Sequence, residues 1–245
     1  MSFPVEGYTT IAFPDAKLDG VLSDIYKVLF EAGSSVDSGS SDPRELEVFL
    51  ERLSGDRLNA FRTRVITALN KLQVNCRLLS QVQRQIVEWL GPDLLVQRGV
   101  NLVIQPPNDP NPSELHRDLP GNSPFELVLW VPLTDCFGTM SMYFLNADQS
   151  LASSEALKNN TMTWKNFEEF TLQNSYSIDL RVGQAIVFWA GLWHGSKVNT
   201  EKRTRLSINF RVKSLFSPSG RKDPTNYFDL YSSSNITKLA LRVLE

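Results

Sequence analysis

Thr204-Arg205-Leu206-Ser207-Ile208-Asn209-Phe210-Arg211-Val212 alternates strictly between polar and apolar side chains. Successive side chains of an extended strand project to opposite faces, so Leu206, Ile208, Phe210 and Val212 share one face. Arg205, Ser207, Asn209 and Arg211 share the other. The apolar set belongs against a core. The polar set fits either a face turned to solvent or the lining of a polar ligand cavity inside a barrel. Around this stretch lie other short apolar and aromatic runs bounded by Pro, Gly, Asn and Asp: Gly99 to Gln105, Phe125 to Val131, Met140 to Leu145, Ser177 to Leu180 and Gln184 to Trp189. Short strands at this spacing predict an antiparallel sandwich or barrel, and a jelly roll in particular.

The first third reads differently. Leu18, Val21, Leu22, Ile25, Val28 and Leu29 recur at three- and four-residue intervals up to Gly33, where a left-handed C-terminal cap is expected. A polar loop, Ser34 to Ser41, follows. Asp42 and Pro43 suit the N-cap and first position of a second helix carrying Leu46, Phe49 and Leu53. A third helix follows Gly55-Asp56 with Leu58, Phe61, Val65, Leu69 and Leu72 on one face. A fourth bears Leu79, Val82, Ile86 and Leu90 and stops at Gly91-Pro92. Such stripes predict helices packed on a sheet. The expected architecture is α+β, a single domain over 1–245: a mainly helical support (1–93), a jelly-roll core (94–216), and a tail ending in a helix (217–245). Asn146 to Asn174 is expected as a long polar loop, either a lid or a surface insertion. Ser217 to Ser234 reads as loop, and Asn235 to Leu244 as the closing helix.

Composition narrows the function classes. A net charge of −2 with dispersed Lys and Arg argues against nucleic acid or an anionic membrane as partner. Cys76 and Cys136 have neither metal-type nor redox-type spacing and are expected as reduced thiols. Met1 to Thr10 shows no basic region followed by an apolar run, and no apolar stretch approaches the ~20 residues of a membrane span. A cytoplasmic location is expected.

The chain has two histidines, one in Leu115-His116-Arg117-Asp118 and the other in Trp193-His194-Gly195-Ser196. In an extended segment His116 and Asp118 project to one side, so both can reach one metal ion. With His194 they supply two imidazoles and one carboxylate, a set that leaves three positions of octahedral iron(II) open. Taken singly, His-x-Asp also suits a solvated turn and His194 a half-buried strand end. Eleven residues after His194 comes Arg205, whose planar guanidinium suits a carboxylate co-substrate bound beside the metal. Arg203 and Arg211 are further candidates for that anion grip. Gln105, with Asn101 on its face, and Trp130 are expected to line the cavity.

The order His-x-Asp, distal His-Gly-Ser, then Arg-x-Ser resembles the iron(II)- and 2-oxoglutarate-dependent dioxygenases. Trp130-Val131-Pro132-Leu133-Thr134-Asp135 and Gly183-Gln184-Ala185-Ile186-Val187-Phe188 are similar to the phytanoyl-CoA dioxygenase branch. The similarity runs from about Val100 to Val212. The chain departs from that branch at Tyr143-Phe144-Leu145-Asn146, where a Pro-Gly-Ser-His-like segment is usual, so the resemblance does not extend to substrate subclass. It implies a double-stranded β-helix core, iron(II) held by His116, Asp118 and His194, and 2-oxoglutarate bound by Arg205 with help from Ser207. It also implies oxidative decarboxylation of 2-oxoglutarate coupled to oxidation of a small molecule by O2, with hydroxylation the expected outcome because Asp118 is a carboxylate. The expected substrate is sugar-like or a specialised metabolite. The alternatives are a cupin-like metal protein that uses no 2-oxoglutarate and a non-catalytic sugar-binding module.

Overall fold

The computed structural model describes residues 2–33, 43–53 and 55–244. A strand, β1 (Tyr8–Ala12), precedes four helices: α1 (Asp15–Gly33), α2 (Pro43–Glu51), α3 (Gly55–Lys71) and α4 (Val74–Leu90). Strands β2 (Leu94–Gln97), β3 (Asn101–Gln105), β4 (Glu126–Pro132) and β5 (Met142–Phe144) follow, and then helices α5 (Ala147–Lys158) and α6 (Trp164–Asn174). The remainder holds β6 (Tyr176–Ser177), β7 (Gln184–Trp189), β8 (His194–Ser196), β9 (Arg205–Ser214), the short α7 (Pro224–Tyr227), β10 (Phe228–Ser232) and α8 (Asn235–Leu244).

The strands form two antiparallel sheets. The larger runs β1-β7-β4-β9-β2-β10, and β3 also pairs with β9. Strand β9 is long enough to serve two partners along one edge: Leu94 to Val96 pair with Ser214 to Val212, and Asn101 to Gln105 pair with Asn209 to Arg205. The break between β2 and β3 falls at Gly99, whose φ of +126° and lack of a Cβ let the Asn70 amide approach. Asn70 Oδ1 accepts the Val100 N–H at 3.0 Å. The smaller sheet has the order β6-β5-β8.

Period-two alternation sorts the large sheet into two layers. Leu127, Leu129 and Val131 of β4, Ala185 and Val187 of β7, and Leu206, Ile208, Phe210 and Val212 of β9 pack with α1, α3 and α4 in the main core. The opposite face of β4 and β7 sends Val128, Trp130, Ile186 and Phe188 against Met142 and Phe144 of β5. The protein is thus a mixed fold in which helices cover one face of the large sheet and the small sheet covers part of the other. Both faces of β9 are enclosed: Arg205 is 2% exposed, Ser207 fully buried and Arg211 8% exposed. The polar face of β9 lines an interior, which selects the cavity reading of its alternation over the solvent-facing one.

Several expectations change. Asn146 to Asn174 is not a loop but carries α5 and α6. Asn146 and Gln149 form a reciprocal capping box, and the Thr163 hydroxyl accepts the Asn166 N–H. The side chains α5 buries are Ser150 and Ser153, so it lacks the stripe of large apolar residues by which a helix is recognised. Gly33 is the last residue of α1 without a left-handed φ; its missing Cβ makes room for the Phe49 ring. Strand β1 lies in the otherwise helical third, and β10 and α7 lie in the segment read as loop. Strand β6 ends at Ser177, and Leu180 instead bridges Cys136. Both cysteines are free thiols, and burial pushes Cys136 up to about 12. The expected polar loop Ser34 to Ser41 and the Asp42 cap lie outside the described residues.

Candidate metal centre

The two histidines meet through their backbones. His116 N–H donates to the His194 carbonyl at 2.9 Å and His194 N–H to the His116 carbonyl at 2.8 Å, an isolated antiparallel bridge that extends from β8. Asp118 is anchored two residues on, its N–H bonded to the Ala190 carbonyl at 3.2 Å. The pairing puts the two imidazole rings 4.3 Å apart. One potential ligand atom from each of His116, Asp118 and His194 lies within 4.8 Å of the others. The i, i+2 geometry expected of His-x-Asp is therefore present, with the distal histidine across from it.

Hydrogen bonds around the cluster orient its donors. His116 Nδ1 lies 2.7 Å from the Glu114 carbonyl and His194 Nδ1 2.9 Å from the Leu192 carbonyl. A carbonyl only accepts, so each Nδ1 carries a proton, and in the neutral ring it is Nε2 that keeps the lone pair. That is the tautomer a metal-binding histidine needs. Burial, followed by the neighbouring His116, pushes His194 down from 6.5 to about 4, so its ring is neutral at physiological pH. Arg211 donates from Nη2 at 2.6 Å and Nε at 3.1 Å, both to Asp118 Oδ2. Among the described residues nothing donates to Oδ1, which remains available to a cation. Arg211 is itself held by Gln97 Oε1 at 3.0 Å and the Tyr227 hydroxyl at 3.1 Å.

A cavity of about 200 Å³ contains the cluster and reaches along β9 to Arg205. Arg205 differs from Arg211 in its partners. Nη1 donates to the Met140 carbonyl at 3.2 Å, Nη2 to Ser196 Oγ at 2.9 Å, and Nε has no partner. No carboxylate pairs with it among the described residues. Burial lowers its pKa to about 10, which leaves it a cation in an enclosed site. An uncompensated buried charge is costly, and an anionic ligand would offset that cost.

The remaining candidates divide. Trp130 lines the cavity, as does Asn101. Gln105 does not; its Nε2 donates to the Lys197 carbonyl at 2.6 Å, and it borders an adjoining pocket that also touches Arg205. Its Oε1 is unpartnered, as is the Oγ of fully buried Ser207, which lies on the cavity side of β9 without lining the cavity. Arg203 precedes β9 and lines neither pocket. Three contributors went unassigned from sequence: Ser196 as the support of Arg205, Arg211 as the partner of Asp118, and Asn209 on the cavity wall. Alternation along β9 places Asn209 and Arg211 on the right face, but says nothing about which arginine pairs with an acid.

The fold is shared with non-heme iron- and 2-oxoglutarate-dependent oxygenases. The non-heme monooxygenase ThoJ, in a nickel complex, is 18% identical with a TM-score of 0.56 over 94% of this chain and 82% of that one. EctD from S. alaskensis is 13% identical with a TM-score of 0.57 over 95% and 83%. HygX from Streptomyces hygroscopicus, solved with nickel and 2-oxoglutarate, is 12% identical with a TM-score of 0.51 over 90% and 87%. EctD has also been solved with iron and with 2-oxoglutarate. Among curated proteins, the streptomycin biosynthesis protein StrG of Streptomyces griseus is 30% identical over 156 residues, which span 60% of this chain and 64% of that protein. No protein-family model matches the chain. No helix among the described residues is long and apolar enough to cross a membrane.

Proposed function

We propose that this protein is an iron(II)- and 2-oxoglutarate-dependent oxygenase that oxidises a small molecule. One observation carries the reading: a His-Asp-His cluster whose two Nδ1 atoms are tied to backbone carbonyls shares a cavity with a buried arginine that has no acid partner among the described residues. The donor set fits iron(II), since two imidazoles and a carboxylate leave coordination positions open. His116, Asp118 and His194 hold the metal, and Arg211 holds Asp118. Arg205 receives the distal carboxylate of 2-oxoglutarate through the edge that bears its unpartnered Nε, steadied by Ser196 and assisted by Ser207. Gln105, opposite Arg205 on β3, shapes that end of the site, and Trp130, opposite Asn209, shapes the cavity between Arg205 and the metal ligands. When bound, iron and 2-oxoglutarate supply the oxygen activation; the chain supplies position and shelter from water.

The two facing sheets form the double-stranded β-helix of this enzyme class, with residues 1–93 as helical support and 217–245 as a closing tail of one domain. Asp118 as a ligand favours hydroxylation or a related oxidation. The name of StrG and the polar cavity support a sugar-like or specialised metabolite as substrate. Incubation with iron(II), 2-oxoglutarate and air should yield succinate slowly even without substrate, and His194→Ala should yield none. Iron binding without 2-oxoglutarate turnover would turn the reading to a cupin-like metal protein.

A further inference from the structure

A groove of about 660 Å³ opens beside the central cavity and shares Ser113 and Ser196 with it. Helix α6 forms one wall and residues 110–115 another. The charges on this groove are Glu114 and Glu168, both exposed, and no basic residue lines it among the described residues. The inner cavity has the opposite arrangement, with Arg205 as its unpaired charge.

Three side chains in the groove bear on what enters it. Trp164 is 47% exposed, and its indole N–H donates to Glu168 Oε1 at 2.8 Å, which holds ring and carboxylate together on one wall. Tyr143 is only 8% exposed, yet its hydroxyl makes no hydrogen bond among the described residues. Its Oη lies where a side chain on Gly195 would collide with it, at 2.6 Å from an added Cβ, so it stands beside the residue that follows His194. Burial, and then Glu168, raise the Tyr143 pKa, so its hydroxyl stays protonated and able to donate. A carboxylate held at the edge of an exposed indole attracts an ammonium group by ion pairing, and the neighbouring ring face attracts it by the ring quadrupole, whereas two carboxylates repel an anion.

We propose, resting on the oxygenase reading, that this groove receives the substrate and that the substrate carries a protonated amine. Glu168 and Glu114 pair with the ammonium, and Trp164 covers the adjoining apolar face. Tyr143 bonds a polar group of the substrate at the junction with the metal centre. Acid and amine ends are thereby segregated, with the anionic co-substrate drawn inward to Arg205 and the cationic substrate kept outward.

The test compares D-glucosamine with N-acetyl-D-glucosamine, which share a ring and differ in the charge on nitrogen. Anaerobic calorimetric titration, in the presence of iron(II) and 2-oxoglutarate, should show glucosamine binding about fivefold tighter, the scale of a partly solvated ion pair. Glu114→Gln combined with Glu168→Gln, both at exposed positions, should abolish the preference. Glucosamine binding no better than its acetylated form, whether both bind or neither does, overturns the proposal, as does a preference that survives in the double variant. A parallel 2-oxoglutarate titration of the unaltered iron-loaded protein, followed by its visible charge-transfer band, separates the two ideas. An amine preference without the band supports the groove assignment and removes the oxygenase reading; the band without the preference does the reverse.

Discussion

The two ends of the polar face of β9 carry the same side chain in opposite electrostatic states. At one end Arg211 gives two N–H groups to Asp118 Oδ2 and is further held by Gln97 and Tyr227. At the other end Arg205 is equally enclosed but meets a backbone carbonyl and a hydroxyl, with Nε unpartnered. The first end is closed: its charge is neutralised within the chain and serves to aim a carboxylate. The second is open, a cation held in place at the expense of stability. Two arginines six residues apart on one face thus have different work, and the distinction lies in their partners rather than their burial.

Breaking the closed end should have the largest effect. Arg211→Met strips both donors from Asp118 Oδ2, and loss of one partner of a buried pair typically costs about 3 kcal/mol or more. Thermal denaturation should show that loss, and competition with a chelator should show iron affinity reduced by about 10- to 100-fold, the range seen when the support of a metal ligand is removed. A variant as stable as the parent would undo the account of Asp118. At the open end the sign should reverse. Arg205→Met removes an unpaired buried cation, so the ligand-free protein should keep its stability or gain about 1 kcal/mol. Calorimetry should nevertheless find 2-oxoglutarate binding weakened by at least about 30-fold, the scale for losing one side of a buried charge pair. A loss of stability matching that of Arg211→Met would make the two ends alike.

Ligand addition sharpens the contrast. 2-Oxoglutarate at 100 times the parent's dissociation constant should stabilise the iron-loaded parent by about 2.7 kcal/mol, and at that concentration should stabilise Arg205→Met by no more than about 0.9 kcal/mol. The smallest effect concerns the metal-free cluster. His194 is pushed from 6.5 down to about 4 in the folded chain, chiefly by burial. The unfolded chain therefore takes up a proton on this ring at higher pH than the folded one does. Stability is complete above pH 6.5 and falls as pH drops through the window toward 4. A loss of about 1 kcal/mol or more is expected, removed in His194→Asn. Denaturant midpoints across that window check it, and a midpoint that rises on acidification would contradict the sign.

The layered architecture was legible wherever large apolar residues keep a period. Leu18 to Leu29, the α3 and α4 stripes and the alternation of β9 all declare themselves because burying big side chains imposes 3.6- or 2-residue spacing. It was illegible where little is buried or where small residues do the burying. Helix α5 packs through Ser150 and Ser153, and edge strand β1 contributes Ile11 alone to the core from its five residues. The candidate site shows the same division. With two histidines in the chain the ligand candidates stood out, but alternation cannot tell a solvent face from a cavity lining. Only the second sheet, which covers the polar side of β9, decides that. Nor does spacing separate Arg205 from Arg211, because Asp118 reaches β9 from a segment 93 residues away.

The most direct measurement is an anaerobic titration of the iron(II)-loaded protein with 2-oxoglutarate, watching for the visible metal-to-ligand charge-transfer band, in the parent, His194→Ala and Arg205→Met. A band in the parent that vanishes in His194→Ala and requires far more co-substrate in Arg205→Met is the predicted result. An iron-loaded parent that shows no band, or an Arg205→Met protein that titrates like the parent, would contradict the assignment of the open end of β9 as the co-substrate's receptor.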